Sequence, residues 1–349
     1  VLTSQSLSRL GQFVEHFGSH KTHIDARAEL VDLLLKRGEP LLAERHLLQL
    51  QQAEDPSTAA RATTRLASLF IEFEKYEEAV TCIDQLADRW GDVMVSPLQE
   101  GWLEPSLEGI SGAEVAAALR QHPAMRPWLE TDRSWYEGKC EIARQNRRSL
   151  TPFARTFPIE LNDAEGPVPR FQSLVYDQYQ NSLILRDAMG RILASARLED
   201  EEKFVTAASA AGNSWALGHL IVMNVGFRAI AIDTLGSSNH QLEAANQKPE
   251  QVILWRSDLS SNLILSPQRS TQLMPKKINR GWGPARYVLS DTSRRPIGLV
   301  GPVTQSGLVY QKAGELTCVD PYTGKPMWVR DGFEHGADIF GDESFTFVV

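Results

Sequence analysis

Cysteine is scarce in this chain. Three occur in 349 residues, Cys82, Cys140 and Cys318, widely spaced and odd in number. No two of them form a CxxC pair, which excludes a zinc ribbon or a thioredoxin-like site and leaves each as a small buried hydrophobe. Long apolar runs are missing as well. No stretch approaches the roughly 20 residues a membrane helix needs, and no secretory leader pattern is visible. Basic charge is in deficit, with 36 Lys and Arg against 44 Asp and Glu and a formal net charge of −8. That balance disfavours nonspecific adhesion to nucleic acid or anionic lipid.

Catalytic signatures are equally sparse. No glycine-lysine-serine or glycine-lysine-threonine triplet exists, so there is no P-loop. The segment Gly212 to Gly218 places its second glycine two residues too late for a nucleophile elbow around Ser214, and reads as a strand turn. Gly281-Trp282-Gly283-Pro284 is not a dinucleotide fingerprint. His16, His20 and His23 lack the carboxylate or second ligand group a metal site requires, and read as a solvated helix end. Asp338, Asp342 and Glu343 lack EF-hand spacing and read as a polar loop before a strand. Lys276, Lys277, Arg280 and Arg286, interleaved with Trp282 and Tyr287, form one basic-aromatic stretch, expected as a solvated loop.

What is present is pattern. The length is more than one ordinary core absorbs and implies roughly two domains. Hydrophobic content of 42% and charged content of 23% fit a soluble globular protein. Val1 in place of methionine, and Phe345 to Val349 reading as a strand cut midway, give the expectation of a piece of a longer protein whose targeting signal would lie upstream.

Residues 24–90 carry helical periodicity, within a helical-repeat domain expected at 1–92. Leu30, Leu33 and Leu34 share one helical face. Gly38-Glu39-Pro40 breaks the pattern, and Ala43, Leu47 and Leu48 open a second face. Asp55-Pro56 reads as an N-cap followed by proline at the first helical position. Leu66, Leu69, Phe70 and Phe73 mark a third helix, and Tyr76, Ala79, Val80, Ile83 and Leu86 a fourth. Leu30 and Leu66, Leu34 and Phe70, Ala43 and Ala79, and Leu47 and Ile83 are all separated by 36 positions. Leu10, Phe13 and Phe17 supply one more helix near the start. The period lies close to the ~34 residues of a tetratricopeptide repeat, and the segment from Phe70 to Ala79 resembles the helix turn of that family. The resemblance implies stacked hairpins with a concave, peptide-binding surface.

Residues 93–134 lose the periodicity and gain proline and glycine, as a connector does. One short helix is expected at 112–121, because Ser111 and Glu114 have capping-box spacing and His122-Pro123 would stop it. Trp102 and Trp128 are candidates to pin the connector to a domain.

From 135 to 349 short alternating runs bounded by glycine, asparagine and aspartate predict strands and turns. Gly307–Gln311, Gly314–Asp320 and Lys325–Arg330 make three strands, with Gly324 at the φ > 0 position of the second turn. Pro326 lacks an N–H, so its strand belongs at an outer edge, and Trp328 offers a flat ring to an adjoining sheet. The unit recurs as His219–Met223, Gly226–Asp233 and Val252–Arg256, and weakly at Ser182–Asp187 and Gly190–Leu193. Aspartates fall at 187, 233 and 320. The wider second interval holds either a polar insertion at 236–251 with a long loop at 260–300, or a degenerate blade. The insertion is favoured, since Trp255 closes its unit in the expected order.

Val319-Asp320, Thr323-Gly324-Lys325 and Trp328 resemble the PQQ-type quinoprotein repeat, with Asp233 and Trp255 as a partial second copy. That resemblance implies a partial β-propeller of about four to five blades, open and truncated, and relatives among outer-membrane assembly lipoproteins, quinoprotein dehydrogenases and large bacterial proteins that join propellers to tetratricopeptide repeats. The fold class expected is therefore multidomain α then β. Dehydrogenases of that family use adjacent cysteines, a bound calcium and an aspartate base. No two cysteines here are adjacent and no acidic cluster accompanies such a pair, so no cofactor and no catalytic residue is assigned. The expected function is a noncatalytic protein-protein interaction scaffold with a protein or peptide partner and no nucleic acid. The alternatives are part of a PQQ-dependent oxidoreductase, or the sensor portion of a bacterial signalling protein such as a membrane kinase. Family resemblance alone implies the cell envelope or periplasm, with membrane association only through segments outside this chain.

Overall fold

The computed structural model describes residues 7–17, 23–95, 109–129, 156–159, 162–165, 173–177, 180–186, 192–199, 214–225, 228–236, 252–259, 274–278, 286–290, 299–304, 307–312, 314–334, 339–341 and 346–348. The chain divides into two compact units, Val1–Leu150 and Thr151–Val349.

The first unit is helical. Helices α1 (Leu7–His16), α2 (His23–Lys36), α3 (Pro40–Gln51), α4 (Pro56–Glu72) and α5 (Tyr76–Trp90) each pack against the next in chain order. The 36-residue repeat is a repeat of backbone as well as side chains. Helix α2 ends in a left-handed residue, Gly38 (φ 72), and α4 ends in Glu74 (φ 58) at the equivalent place. Behind Gly38, Glu39 N–H donates to Leu34 O (2.9 Å) and Gly38 N–H to Leu35 O (3.0 Å). Behind Glu74, Lys75 N–H donates to Phe70 O (2.7 Å) and Glu74 N–H to Ile71 O (3.1 Å). These paired bonds make a Schellman motif at both turns, satisfying carbonyls the helix end would otherwise leave bare. The equivalent residues Leu30 and Leu66, Leu34 and Phe70, Ala43 and Ala79, and Leu47 and Ile83 are at most 2% exposed. Val31 with Ala67 and Leu50 with Leu86 extend the same correspondence into the core.

Caps fix the other boundaries. Asp55 accepts from Thr58 N–H at 2.9 Å, and Pro56 opens α4. Ser111 caps α6 (Gly112–Arg120) in a complete capping box, with Ser111 N–H donating to Glu114 Oε2 at 2.8 Å and Glu114 N–H to Ser111 Oγ at 3.3 Å. The short antiparallel pair β1 (Met94–Val95) and β2 (Ile110–Ser111) brings α6 back onto α5, where Arg120 meets Asp84 at 2.9 Å. Helix α7 (Arg126–Leu129) follows, and Trp128 lies 5.8 Å from the Tyr76 ring of α5. The described part of the segment read as a connector is thus packed onto the helices. Trp102 lies outside the described residues.

The second unit is built of antiparallel sheets. The first sheet joins β3 (Thr156–Ile159), β5 (Ser173–Asp177), β6 (Ser182–Arg186) and β7 (Ile192–Arg197) in that order. The second has the order β11-β10-β9-β8-β4, from β4 (Asn162–Glu165), β8 (Ser214–Leu217), β9 (Leu220–Val225), β10 (Arg228–Asp233) and β11 (Ile253–Asp258). Its β4 runs parallel to β8, a pairing that no local pattern announces. Strands β12 (Met274–Ile278) and β13 (Arg286–Ser290) pair as a hairpin. Then β14 (Leu299–Val303), β15 (Leu308–Lys312), β16 (Glu315–Val319) and β17 (Pro326–Asp331) make a four-stranded sheet, and β18 (Ile339–Gly341) pairs with β19 (Thr346–Val348). No closed barrel forms among the described residues.

Sheets stack by burying both faces of their middle strands. Leu174, Leu183 and Leu185 of the first sheet share a core with Ala216, Ile221, Met223, Ile230 and Ile232 of the second. Strand β14 packs on β8 and β9, and β18 packs on β14, where Ile339 joins Val309, Leu316 and Cys318. Central strands β9, β10, β15 and β16 are therefore almost continuously buried, which explains runs such as Leu220–Met223 that do not alternate. The long loop expected at 260–300 is corrected in part: β12 and β13 lie within it. Lys276, Lys277, Arg286 and Tyr287 sit on those strands rather than in a loop, while Arg280 and Trp282 lie outside the described residues.

Candidate interaction surface

Three sheets of the second unit carry the same irregularity. The β6/β7 register shifts between Leu185 and Arg186, the β10/β11 register between Ala231 and Ile232, and the β16/β17 register between Cys318 and Val319. Each β-bulge lies one residue before an aspartate of the repeat, where it sharpens the twist and re-aims the outer strand. Opposite the residue preceding the bulge stand Ala194, Trp255 and Trp328. The two tryptophans therefore hold the same place in two sheets, and alanine holds it in the first. Asp187 lies outside the described residues.

The aspartates fold their turns. Asp233 is 2% exposed, and its Oδ1 accepts from Leu235 N–H at 2.8 Å and Gly236 N–H at 3.3 Å. Asp320 Oδ1 accepts from Tyr322 N–H (3.0 Å), Thr323 N–H (2.8 Å) and Thr323 Oγ1 (3.0 Å). Gly324 N–H then donates to Asp320 O at 2.8 Å, and Asp320 N–H to Lys325 O at 2.9 Å. This is the Asx-turn logic: a short carboxylate collects the amides that a tight turn leaves bare. Gly324 takes φ 67.

Trp255 is docked onto the Asp320 turn. Its Nε1–H donates to Pro321 O at 2.8 Å, and its ring lies against Gly324 so closely that a Cβ there would come within 2.7 Å of Trp255 Cγ. Ser257, two residues on, meets Tyr310 hydroxyl to hydroxyl at 2.8 Å. Asp320, Thr323, Gly324 and Trp255 are thus brought together across two sheets, while Asp233 builds its own turn. Trp328 is the exception. The expectation that it covers itself against an adjoining sheet is corrected among the described residues: Trp328 is 40% exposed, with the Arg330 guanidinium 5.3 Å from its ring centroid. Met327 (54%) and Val329 (51%) beside it are also exposed. Strand β17 lies at a sheet edge, as Pro326 requires, and every residue of it faces solvent. Among the described residues no further strand pairs with β17, and a row of large apolar side chains on an open edge is costly in water.

Nothing in the described residues points to bond-making chemistry. No group of three or more His, Cys, Asp or Glu there can hold a metal ion. Burial pushes the Cys82 thiol well up, with Glu78 and Glu44 adding to it, and burial also raises Cys318, so both stay protonated and unreactive. Cys140, His20, Asp338, Asp342, Glu343 and Gly281–Pro284 lie outside the described residues. No described helix is long and apolar enough to cross a membrane.

Comparison with known proteins adds little to this geometry. No family model matches the chain, and no curated protein matches it. Among solved structures, BamB from Moraxella catarrhalis superposes at TM-score 0.24 with 12% identity, over 46% of this chain and 33% of its own. Quinohemoprotein alcohol dehydrogenase from Comamonas testosteroni superposes at 0.25 with 9% identity, over 50% of this chain and 22% of its own. Hsv2 from Kluyvelomyces marxianus does so at 0.21 with 11% identity, over 52% of this chain and 57% of its own. The chain thus spans about a third or less of the first two. The superpositions are too loose to carry an argument about this chain.

Proposed function

We propose that this chain is a noncatalytic protein-protein interaction scaffold, made of tetratricopeptide-like hairpins in residues 1–92, a connector with a short helix in 93–134 and PQQ-type propeller blades in 135–349. Strand β17 is the surface that meets the partner. The observation that carries this reading is the inequality of two equivalent tryptophans: Trp255 spends its ring and N–H on a turn within the fold, whereas Trp328 keeps the same position 40% exposed. What Trp255 grips tells what Trp328 fits, namely a tight β-turn of a protein partner that offers a carbonyl oxygen above a glycine. A net charge of −8 disfavours nucleic acid in that role. By resemblance alone the cell envelope is the expected compartment.

The test is a cyclised hairpin peptide carrying the turn Asp-Pro-Tyr-Thr-Gly-Lys, titrated into the full chain by calorimetry. Saturable binding that Trp328→Ala abolishes, and Trp328→Phe weakens, supports the surface. Binding unchanged in Trp328→Ala refutes it. In parallel, PQQ and calcium are added and dye reduction is followed with primary alcohols. Turnover with retained quinone would overturn the noncatalytic reading.

A further inference from the structure

Strands β11 and β17 carry the same face twice. On β11, Trp255 and Ser257 stand two residues apart and so point to one side. The Trp255 N–H donates to Pro321 O at 2.8 Å, and the Ser257 hydroxyl meets the Tyr310 hydroxyl at 2.8 Å. The registers place Trp328 where Trp255 stands, and Arg330 where Ser257 stands. Arg330 shares the face of Trp328, since its guanidinium lies 5.3 Å from the ring centroid. Like the rest of β17 it is exposed. A turn that enters over Trp328 as the Asp320 turn enters over Trp255 therefore brings its neighbouring strand against a cation. The β11 face offers a neutral hydroxyl at that place.

A second copy of this chain does not supply such a turn. Its Asp320 turn is already taken by its own Trp255, and its Asp233 turn is closed, with Asp233 2% and Leu235 1% exposed. Arginine forks pair with carboxylates through parallel charge-assisted hydrogen bonds, stronger than neutral ones. Docking removes the water that weakens such a pair on an open surface. A lysine or arginine brought to the same place would set two cations against each other. The net charge of −8 repels acidic proteins at long range, so a local cation is what can admit one. We propose that the occupant is a different protein and that Arg330 is the specificity-determining residue of the β17 surface. The partner presents a carboxylate beside its turn, at the place Tyr310 holds against Ser257. This rests on the reading of β17 as the contact surface and adds which partner that surface accepts.

The probe is a three-stranded sheet peptide carrying the turn Asp-Pro-Tyr-Thr-Gly-Lys, made with Glu, Gln or Lys at the position equivalent to Tyr310 and titrated into the full chain by calorimetry. The Glu peptide is expected to bind about tenfold tighter than the Gln peptide, and the Lys peptide weakest. In Arg330→Gln the Glu and Gln peptides bind alike, and in Arg330→Glu the order inverts. The ratio between peptides reads charge pairing, since a change in how Trp328 is held alters all three together. Both variants replace an exposed edge residue and should melt with the parent. Equal affinities of the three peptides for the parent overturn the role of Arg330, as does a Glu preference that persists in Arg330→Gln; if Trp328→Ala still abolishes binding in either case, the contact surface itself stands. No binding by any of the three peptides overturns the surface and the role of Arg330 with it.

Discussion

Replacing Gly324 by alanine tests the junction between the second sheet and the β14–β17 sheet at its tightest point. The backbone there is left-handed, φ 67, and an L side chain in that region costs about 1–2 kcal/mol. The added Cβ would lie 2.7 Å from Trp255 Cγ, 2.8 Å from Cδ2 and 3.1 Å from Cβ. These atoms are the root of the indole rather than a flexible end, so the whole ring must move. Its movement strains the packing by about 1–3 kcal/mol and endangers the bond to Pro321 O. The expected total is about 3 kcal/mol. Gly332 supplies the control: its φ is 93, yet nothing lies within 4 Å of its would-be Cβ, so Gly332→Ala carries the backbone cost alone, about 1–2 kcal/mol. Urea unfolding of the full chain, followed by circular dichroism of the sheets, measures both. The cycle closes with Trp255→Ala, in whose background Gly324→Ala should fall to the Gly332→Ala value. Equal costs for the two glycine substitutions in the parent chain would refute the docking geometry.

Two other predictions concern the helical unit. Glu74 fills the left-handed position that Gly38 fills one repeat earlier, so Glu74→Gly should stabilise by about 1 kcal/mol, read as a higher urea midpoint of the helical transition. His46 is held down to about 3, chiefly by burial and then by Arg45 and Arg27, against an ordinary 6.5. Below pH 6.5 the unfolded chain takes up a proton that the folded chain refuses, so stability is full above that pH and falls toward pH 3. The slope is about 1.4 kcal/mol per pH unit. Asp32, raised by burial, acts in the opposite sense, so the check is the unfolding free energy of His46→Gln minus that of the parent at pH 7, 6 and 5, which should rise as pH falls.

Local chemistry announced much of this fold. The Ser111–Glu114 capping box and the Asp55-Pro56 start each depend on residues within a few positions of one another, the 36-residue spacing repeats such local patterns, and each is found where its sequence signal lies. The Asp320 turn was legible for the same reason. What stayed hidden depends on distant partners. Strands β8 and β14 lie in segments without strong alternation because both faces are covered by neighbouring sheets, and β4 joins β8 in parallel across some 50 intervening positions. Trp255 and Trp328 look alike in sequence, since only the presence of a neighbouring turn separates a docked ring from an exposed one. Arg27 was hidden for another reason: it is in phase with Leu30 and Leu34 on the buried face of α2, but a charged side chain there reads as exposed.

One position is repeated in two sheets, with Trp255 docked onto a turn within the fold and Trp328 exposed, and the proposed function turns on that difference. Fluorine NMR of the chain labelled with 5-fluorotryptophan, with resonances assigned through Trp255→Phe and Trp328→Phe, tests this directly. The Trp328 resonance should show a solvent isotope shift and move when the hairpin turn peptide is added, while the Trp255 resonance should do neither. A solvent-shielded Trp328 resonance that ignores the peptide would contradict the proposed function.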